Sequence, residues 1–309
     1  MFYLLVNQKK QIVPCLTGPT AAGKTELALS LASNFPIDIV NADSAQIYRG
    51  MNIGTAKSSK SILNRYPHYL IDIINPEESY SVGSFVRDAL FQIDTSIKNN
   101  RIPLIVGGTM LYLNSLCHGI AQLPEKNMQI REEIEKKAQK KGWGEMHAEL
   151  KKIDSCAASN INENDKQRIQ RALEVYYITG KKISELQKKA TPQNNYQFEV
   201  FSLKNINRDE LYSKINNRFL DMLEAGFVDE VRILREREGL SSENMSMRSV
   251  GYRQIWKYLD NEIDLNEATE LAQTATRQLA KRQLTWMRSM KNLKQESHKN
   301  IYKKIESLT

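Results

Sequence analysis

Eight consecutive residues, Gly18-Pro19-Thr20-Ala21-Ala22-Gly23-Lys24-Thr25, have the G-x-x-x-x-G-K-[ST] spacing of a phosphate-binding loop. Its glycines let backbone N–H groups curl around a polyphosphate, and a helix beginning behind them turns its positive end on the same anion. Lys24 would neutralise a terminal phosphate, and the Thr25 hydroxyl would hold Mg²⁺. The flanks agree, because residues 12–17 are an apolar run suited to a strand and Leu27, Ala28, Leu31 and Ala32 follow at helical spacing. The loop alone leaves open which diphosphate or triphosphate it binds.

Two other segments carry polar groups where a parallel sheet would bring them to this loop. A strand over 37–41 runs into Asp43, and one over 102–106 runs into Gly107, Gly108 and Thr109. Ligands of open α/β sheets bind at such carboxyl ends. Asp43 suits a Mg²⁺ partner, a general base or a helix N-cap. The paired glycines allow close approach to a substrate, Thr109 offers a hydroxyl, and an ordinary strand-to-helix turn would look the same. The chain has no N-K-x-D base-reading motif and no four apolar residues ending in Asp-Glu, which argues against a GTPase or a motor-type ATPase.

The elements that must position these groups are legible. Strand candidates at 12–17, 37–41, 69–73, 102–106 and 198–203 alternate with helical stretches such as Val86, Leu90, Ile93 and Ile97. That alternation predicts an α/β fold, a P-loop NTPase-like parallel sheet flanked by helices. Pro14 inside the first strand predicts a bend or a later strand start, since proline lacks a ladder donor. Residues 1–118 then form the first part of the α/β core, 119–196 a highly charged helical insertion, and 197–309 the last core strand with a helical C-terminal region. In that region Leu211, Ile215, Phe219, Met222 and Leu223 share a face. Further on, Leu279, Trp286, Met290 and Leu293 predict a packed face opposite a cationic one of Arg277, Lys281, Arg288 and Lys291. Residues 291–309 are polar and are expected to fray.

Composition excludes several classes. With 41% hydrophobic and 26% charged residues the 309-residue chain reads as an ordinary soluble protein, and no apolar run is long enough to span a membrane. Cys15, Cys117 and Cys156 are far apart in sequence and read as reduced thiols of a cytoplasmic protein, and four scattered histidines give no metal-ligand spacing. Residues 1–120 hold 10 basic and 8 acidic side chains, so most of the net charge of +8 lies beyond them. Such an asymmetry suits a nucleic-acid partner or a plain solvated surface.

Seven segments in order carry a family resemblance. They are the 18–25 loop, 43–57 (Asp-Ser-Ala-Gln-Ile-Tyr-Arg-Gly-Met-Asn-Ile-Gly-Thr-Ala-Lys), the spaced Asp72, Pro76, Tyr80, Ser81 and Phe85, then 107–112, 167–174, 248–254 and 277–286. Together they resemble the bacterial tRNA dimethylallyltransferase (tRNA isopentenyltransferase) family over roughly residues 12–290. The resemblance implies transfer of a dimethylallyl group from dimethylallyl diphosphate to N6 of the adenosine at tRNA position 37, beside the anticodon. Lys24, the loop amides and Mg²⁺ on Thr25 would stabilise the departing diphosphate. Asp43 would take the amino proton, Thr109 would make a polar contact beside it, and Arg218 would be a second diphosphate cation. The target base must be unstacked from a single-stranded loop and enclosed. Implied contacts to the anticodon stem-loop are Asp43, Ser44, Ala45, Gln46 and Thr109; Arg131, Gln167, Arg168, Ile169, Gln170 and Arg171; Arg248, Gly251, Tyr252, Arg253 and Gln254; and Lys281, Arg282 and Arg288. A monomeric enzyme is expected. Alternatives using the same loop are an adenylate isopentenyltransferase, a small-molecule kinase and an RNA-binding nucleotide switch; the helical insertion and basic excess favour a macromolecular acceptor.

Overall fold

A computed structural model of the chain describes residues 10–121, 123–188, 194–204 and 207–309. Two compact units divide it, one formed by Met1–Cys117 with Asn194–Thr309 and the other by His118–Gln193. The first unit begins β1 (Gln11–Thr17), α1 (Lys24–Ala32), β2 (Ile37–Asn41), α2 (Lys60–Arg65), β3 (His68–Tyr69), α3 (Val82–Lys98), β4 (Ile102–Gly107) and α4 (Met110–His118). The inserted unit holds α5 (Met128–Lys141), α6 (Trp143–Ile153), α7 (Ser155–Asn160), α8 (Lys166–Thr179) and α9 (Ile183–Lys188). The chain returns with β5 (Tyr196–Leu203), α10 (Arg208–Glu224), α11 (Phe227–Arg235), α12 (Tyr252–Leu259), α13 (Leu265–Ser289), β6 (Leu293–Glu296) and α14 (His298–Glu306).

Among the described residues six strands form one parallel sheet in the order β3-β2-β4-β1-β5-β6. Every residue of β2 and β4 is buried, as a parallel sheet covered on both faces requires. On one face Leu27 and Leu31 of α1 pack with Ile301 and Ile305 of α14 over Ile39, Leu104 and Phe201. On the other, Phe85, Ala89 and Ile93 of α3 and Leu113 and Leu116 of α4 cover Val13, Val40, Ile105 and Val200. A further core joins α10 to α13 through Phe219, Phe227, Tyr252, Trp256, Ala268 and Ala272 to Ile47, Tyr48 and Met51, so these helices grip the segment that follows β2.

Several expectations need correction. The strand foreseen at 69–73 shrinks to His68–Tyr69, because Leu70 and Asp72 take left-handed φ values of 60° and 54° that no ladder accommodates. β1 runs unbroken from Gln11 through Pro14, which lies opposite Glu199 of β5, and only the ladder to β4 waits for the next residue, Cys15 opposite Ile105. The polar tail is ordered structure: β6 extends the sheet beside β5, from Val200 opposite Leu293 to Leu203 opposite Glu296. The Ser297 hydroxyl caps α14, whose Ile301 and Ile305 are fully buried. Two apolar residues in a polar helix are too sparse a signal to read. On α13 the buried stripe is Ala268, Ala272, Ala280, Gln283 and Met287, while Trp286 is 41% exposed. Alanines allow close packing against α10 and α12, which rotates the helix away from the face that bulk hydrophobicity favours. Arg277 is likewise half-buried, donating to Asn216 Oδ1 at 2.6 Å.

The inserted unit has its own core of Ile134, Leu150, Ile169 and Leu173. Beside it Glu174 is buried and fully satisfied: Arg131 donates from Nε and a terminal nitrogen at 2.8 Å each, Arg171 at 2.7 Å and the Asn127 N–H at 2.9 Å. Burial raises the carboxyl pKa, but these donors outweigh it and hold the group down at about 2. No helix of the described residues is long and apolar enough to cross a membrane.

Two outcomes follow from this packing. Ile305→Ala should cost about 2–5 kcal/mol in denaturant unfolding, the usual cost of a buried Ile truncation; a frayed tail would give no change. Glu174→Gln should leave two half-buried guanidiniums without a counter-charge and destabilise the inserted unit by about 3–5 kcal/mol. A depressed carboxyl contributes stability above its unfolded value of 4.5 and loses it as pH falls towards 2. Protection of α8 amides against hydrogen exchange, taken relative to the intrinsic rate at each pH, should therefore fall with acid across that window in the parent protein and stay flatter in the variant.

Candidate active site

The phosphate loop leaves the carboxyl end of β1, where Thr17 Oγ1 donates to Gly107 O at 3.0 Å and fixes it to the end of β4. Ala21 and Gly23 turn the loop with left-handed φ values of 62° and 83°. Gly23 also heads α1, and no side chain caps that end. The first N–H groups of α1 therefore face the cavity without an internal partner, as an anion site requires. Lys24 Nζ donates to Gly18 O at 2.9 Å and Pro19 O at 2.8 Å, which holds the ammonium over its own loop. Burial lowers its pKa to about 8, with Asp43 opposing and Arg218 adding to the shift.

Asp43 follows β2, and Gly107 and Gly108 follow β4. A Cβ on Gly107 would lie 2.2 Å from the Ala42 carbonyl, so only glycine lets these strand ends touch. Thr109 N–H donates to Ala42 O at 3.2 Å, and Thr109 Oγ1 accepts the Ser44 N–H at 2.9 Å while lying 3.1 Å from Ser44 Oγ. Asp43 Oδ1 accepts the Ala45 N–H at 2.9 Å and closes a turn; no helix starts here. Its Oδ2 makes no hydrogen bond among the described residues. Arg218 on α10 donates to Thr20 Oγ1 at 2.5 Å, and its pKa is pushed down by burial against the attraction of Asp43.

One cavity of about 590 Å³ gathers residues 20–25, Asp43, Gln46, Gly107, Gly108 and Arg218; Gly18, Pro19, Ser44 and Thr109 support its wall without lining it. An anion-binding loop with two cations and a carboxylate within their electrostatic reach can hold a diphosphate and take a proton beside it. Thr25 and Asp43 both line the cavity, and no cluster of three acidic, histidine or cysteine ligands occurs among the described residues. A hydroxyl and one carboxylate fit Mg²⁺, which keeps waters and takes phosphate oxygens as its other ligands.

Sequence reasoning missed several lining or supporting residues. Gln283 contacts Thr20 and Gly108, and Lys214 and Ser58 join the wall. Glu230 accepts N–H bonds from Asn52, Ile53 and Gly54 at 2.9, 2.7 and 3.2 Å and the Tyr252 hydroxyl at 2.5 Å. Buried Lys57 bonds Tyr48 O, Asn52 Oδ1 and Asp72 Oδ1 at 2.9, 3.1 and 2.6 Å. Together they fix the segment bearing Thr55 and Ala56, which line the cavity. No local signal could reveal such pairs, since Glu230 and its partner amides are about 180 residues apart.

The sequence-derived tRNA contacts divide into two groups. Ser44, Gln167, Arg168, Arg253, Lys281, Arg282 and Arg288 are exposed; Ala45, Gln46 and Gln170 are half-buried. Arg248 is exposed and pairs with Glu243 at 2.6 Å. The expectation is corrected for the side chains of Ile169, Tyr252 and Gln254, which are buried in cores, Gln254 accepting the Gly251 N–H at 2.9 Å. Gly251 itself is buried against Phe227. Arg131 and Arg171 are also revised: Glu174 engages their guanidiniums.

Comparison with known proteins shows a family for the chain as a whole. A family model described as IPP transferase matches residues 46–290. Proteins named tRNA dimethylallyltransferase from Nitrosospira multiformis and Nitrosomonas europaea are each 49% identical, over 91% and 90% of this chain and 87% and 88% of theirs. Among solved structures, the full-length tRNA isopentenylpyrophosphate transferase of Bacillus halodurans superposes with a TM-score of 0.70 at 34% identity, covering 97% of both chains. A eukaryotic dimethylallyltransferase acting on tRNA gives 0.77 at 27% identity, covering 90% of this chain and 70% of that one. A match that runs through the segment after β2, the inserted helices and α13 shows that the chain belongs to the IPP transferase family.

Proposed function

We propose that the protein transfers a dimethylallyl group from dimethylallyl diphosphate to N6 of the adenosine at position 37 of tRNA, releasing diphosphate. The observation that carries this reading is the convergence, in one cavity, of an uncapped helix end and two cations with the free Oδ2 of Asp43. The donor diphosphate sits in the 18–25 loop, where Lys24 leaves its loop carbonyls for phosphate oxygens and Arg218 is already held by Thr20. N6 attacks the allylic carbon, the carbon–oxygen bond breaks, and its electron pair leaves with the diphosphate. The loop amides, Lys24 and Arg218 stabilise that growing charge more than the ground state, which is what lowers the barrier. The N6 proton passes to Asp43, and Thr109 holds the backbone of the next residue, Ser44. Thr25, which lines the cavity, would hold Mg²⁺, and the ion would supply further charge neutralisation on the leaving group. Exposed Arg168, Arg253, Lys281, Arg282 and Arg288 engage the anticodon stem-loop, and the enzyme works as a cytoplasmic monomer.

Purified protein given labelled dimethylallyl diphosphate, Mg²⁺ and either bulk tRNA or free AMP should label the tRNA; label on AMP alone would make it an adenylate isopentenyltransferase. Asp43→Asn preserves the turn but cannot take a proton, so single-turnover transfer should fall by about 10²–10⁴ with melting temperature unchanged. Lys24→Ala should abolish transfer and leave tRNA affinity largely intact. Because burial lowers the Lys24 ammonium to about 8, diphosphate affinity should weaken as pH rises through that value, and Lys24→Arg should remove the inflection. A pH-independent affinity in the parent would take Lys24 out of the site.

A further inference from the structure

One buried amide in the cavity wall has no part in the chemistry above. Gln283 of α13 accepts the Thr20 N–H on Oε1 and donates from Nε2 to Gly108 O, both at 2.9 Å. The orientation is dictated by the partners, since an N–H needs an acceptor and a carbonyl needs a donor. A carboxylate or hydrocarbon of similar size meets only one demand or neither. Thr20 belongs to the diphosphate loop and receives Arg218 on its hydroxyl. Gly108 precedes Thr109, which holds Ser44 beside Asp43. A Cβ on Gly108 would lie 2.6 Å from Gln283 Nε2, so the contact also depends on glycine there.

We infer that Gln283 is a positioning residue that sets the distance between the diphosphate loop and the Asp43–Thr109 side of the cavity. It acts through Thr20 and Gly108 and aligns the allylic carbon with the attacking nitrogen. The inference rests on the proposed transfer reaction. Misalignment by about an ångström costs up to roughly 10²-fold in rate, whereas binding of either substrate alone needs only one side of the latch.

The test uses Gln283→Leu, Gln283→Glu, Gly108→Ala and the Leu/Ala double variant in the full chain, each checked by melting temperature. Single-turnover transfer at saturating substrates should fall about 10–100-fold in each single variant, with the Kd for inorganic pyrophosphate within about 3-fold of the parent in the uncharged Gln283→Leu and Gly108→Ala, the two variants in which that Kd is read. The double variant should be no slower than the worse single, because both changes break one contact. In Gln283→Glu the deficit relative to the parent should shrink as pH is lowered from about 8 to 5.5, when the protonated carboxyl donates to Gly108 O; Gln283→Leu should show no recovery. Parent rates in all variants, a deficit in Gln283→Glu that ignores pH, or a pyrophosphate affinity that falls as far as the rate would each overturn the inference. Independently of turnover, pyrophosphate should slow amide exchange at 107–110 in the parent and not in Gln283→Leu. If the parent transfers no prenyl group, the proposed function fails, and this exchange coupling still decides whether the latch exists.

Discussion

The cavity depends on the backbone of Gly107 lying against that of Ala42. A Cβ at 107 would sit 2.2 Å from the Ala42 carbonyl carbon and oxygen, so any other residue would drive β4 from β2. Their contact is closed by the Ala42 N–H to Val106 O at 2.8 Å and the Thr109 N–H to Ala42 O at 3.2 Å. Asp43 and Thr109 are the first side chains beyond that crossing with reactive polar atoms. β1 lies on the other side of β4 and delivers the phosphate loop to the same edge. One steric allowance thereby brings the Asp43 carboxylate and the uncapped end of α1 to a single cavity.

Charge then decides what the cavity does. Lys24 and Arg218 are both pushed towards their neutral forms by burial, and Asp43 is the carboxylate that restrains both. In the proposed reaction a diphosphate would relieve this imbalance, because it supplies the negative charge that two desolvated cations lack. The Thr20 hydroxyl holds Arg218 in place beforehand, and in the proposed reaction Lys24 turns from the Gly18 and Pro19 carbonyls to the phosphate on donor binding, before the chemical step. Little reorganisation remains when charge develops on the leaving group, the condition under which fixed dipoles contribute most.

Support for the Asp43 side of the cavity comes from far along the chain. Glu230 gathers three consecutive N–H groups at 52–54, and Lys57 bonds back to Tyr48 and Asp72. Gly54 has Phe227 within 2.2 Å of where a Cβ would stand, so the segment after β2 is pressed onto the C-terminal helices. Tyr252 and Gln254 in the 248–254 motif belong to this scaffold: Tyr252 bonds Glu230 and Gln254 holds the Gly251 N–H. A family motif can thus persist in a chain for packing as well as for contact with a substrate.

The sequence by itself determined the phosphate loop, the alternation of strands and helices, and the placing of Asp43 and Gly107 to Thr109 at strand ends. These are local facts: glycine spacing, apolar periodicity and the residue that follows a strand. It also pointed to the family, because seven motifs in one order are far more specific than any single one. Only the tertiary structure decided that the 291–309 tail adds β6 and α14, that Ile169 and Tyr252 lie in cores, and that Arg131 and Arg171 serve buried Glu174. It alone brought Gln283 between Thr20 and Gly108, partners 263 and 175 residues away. The division has one physical cause: backbone preference and amphipathic period are written in neighbouring residues, whereas the partner of a buried polar group is fixed by which distant element packs against it.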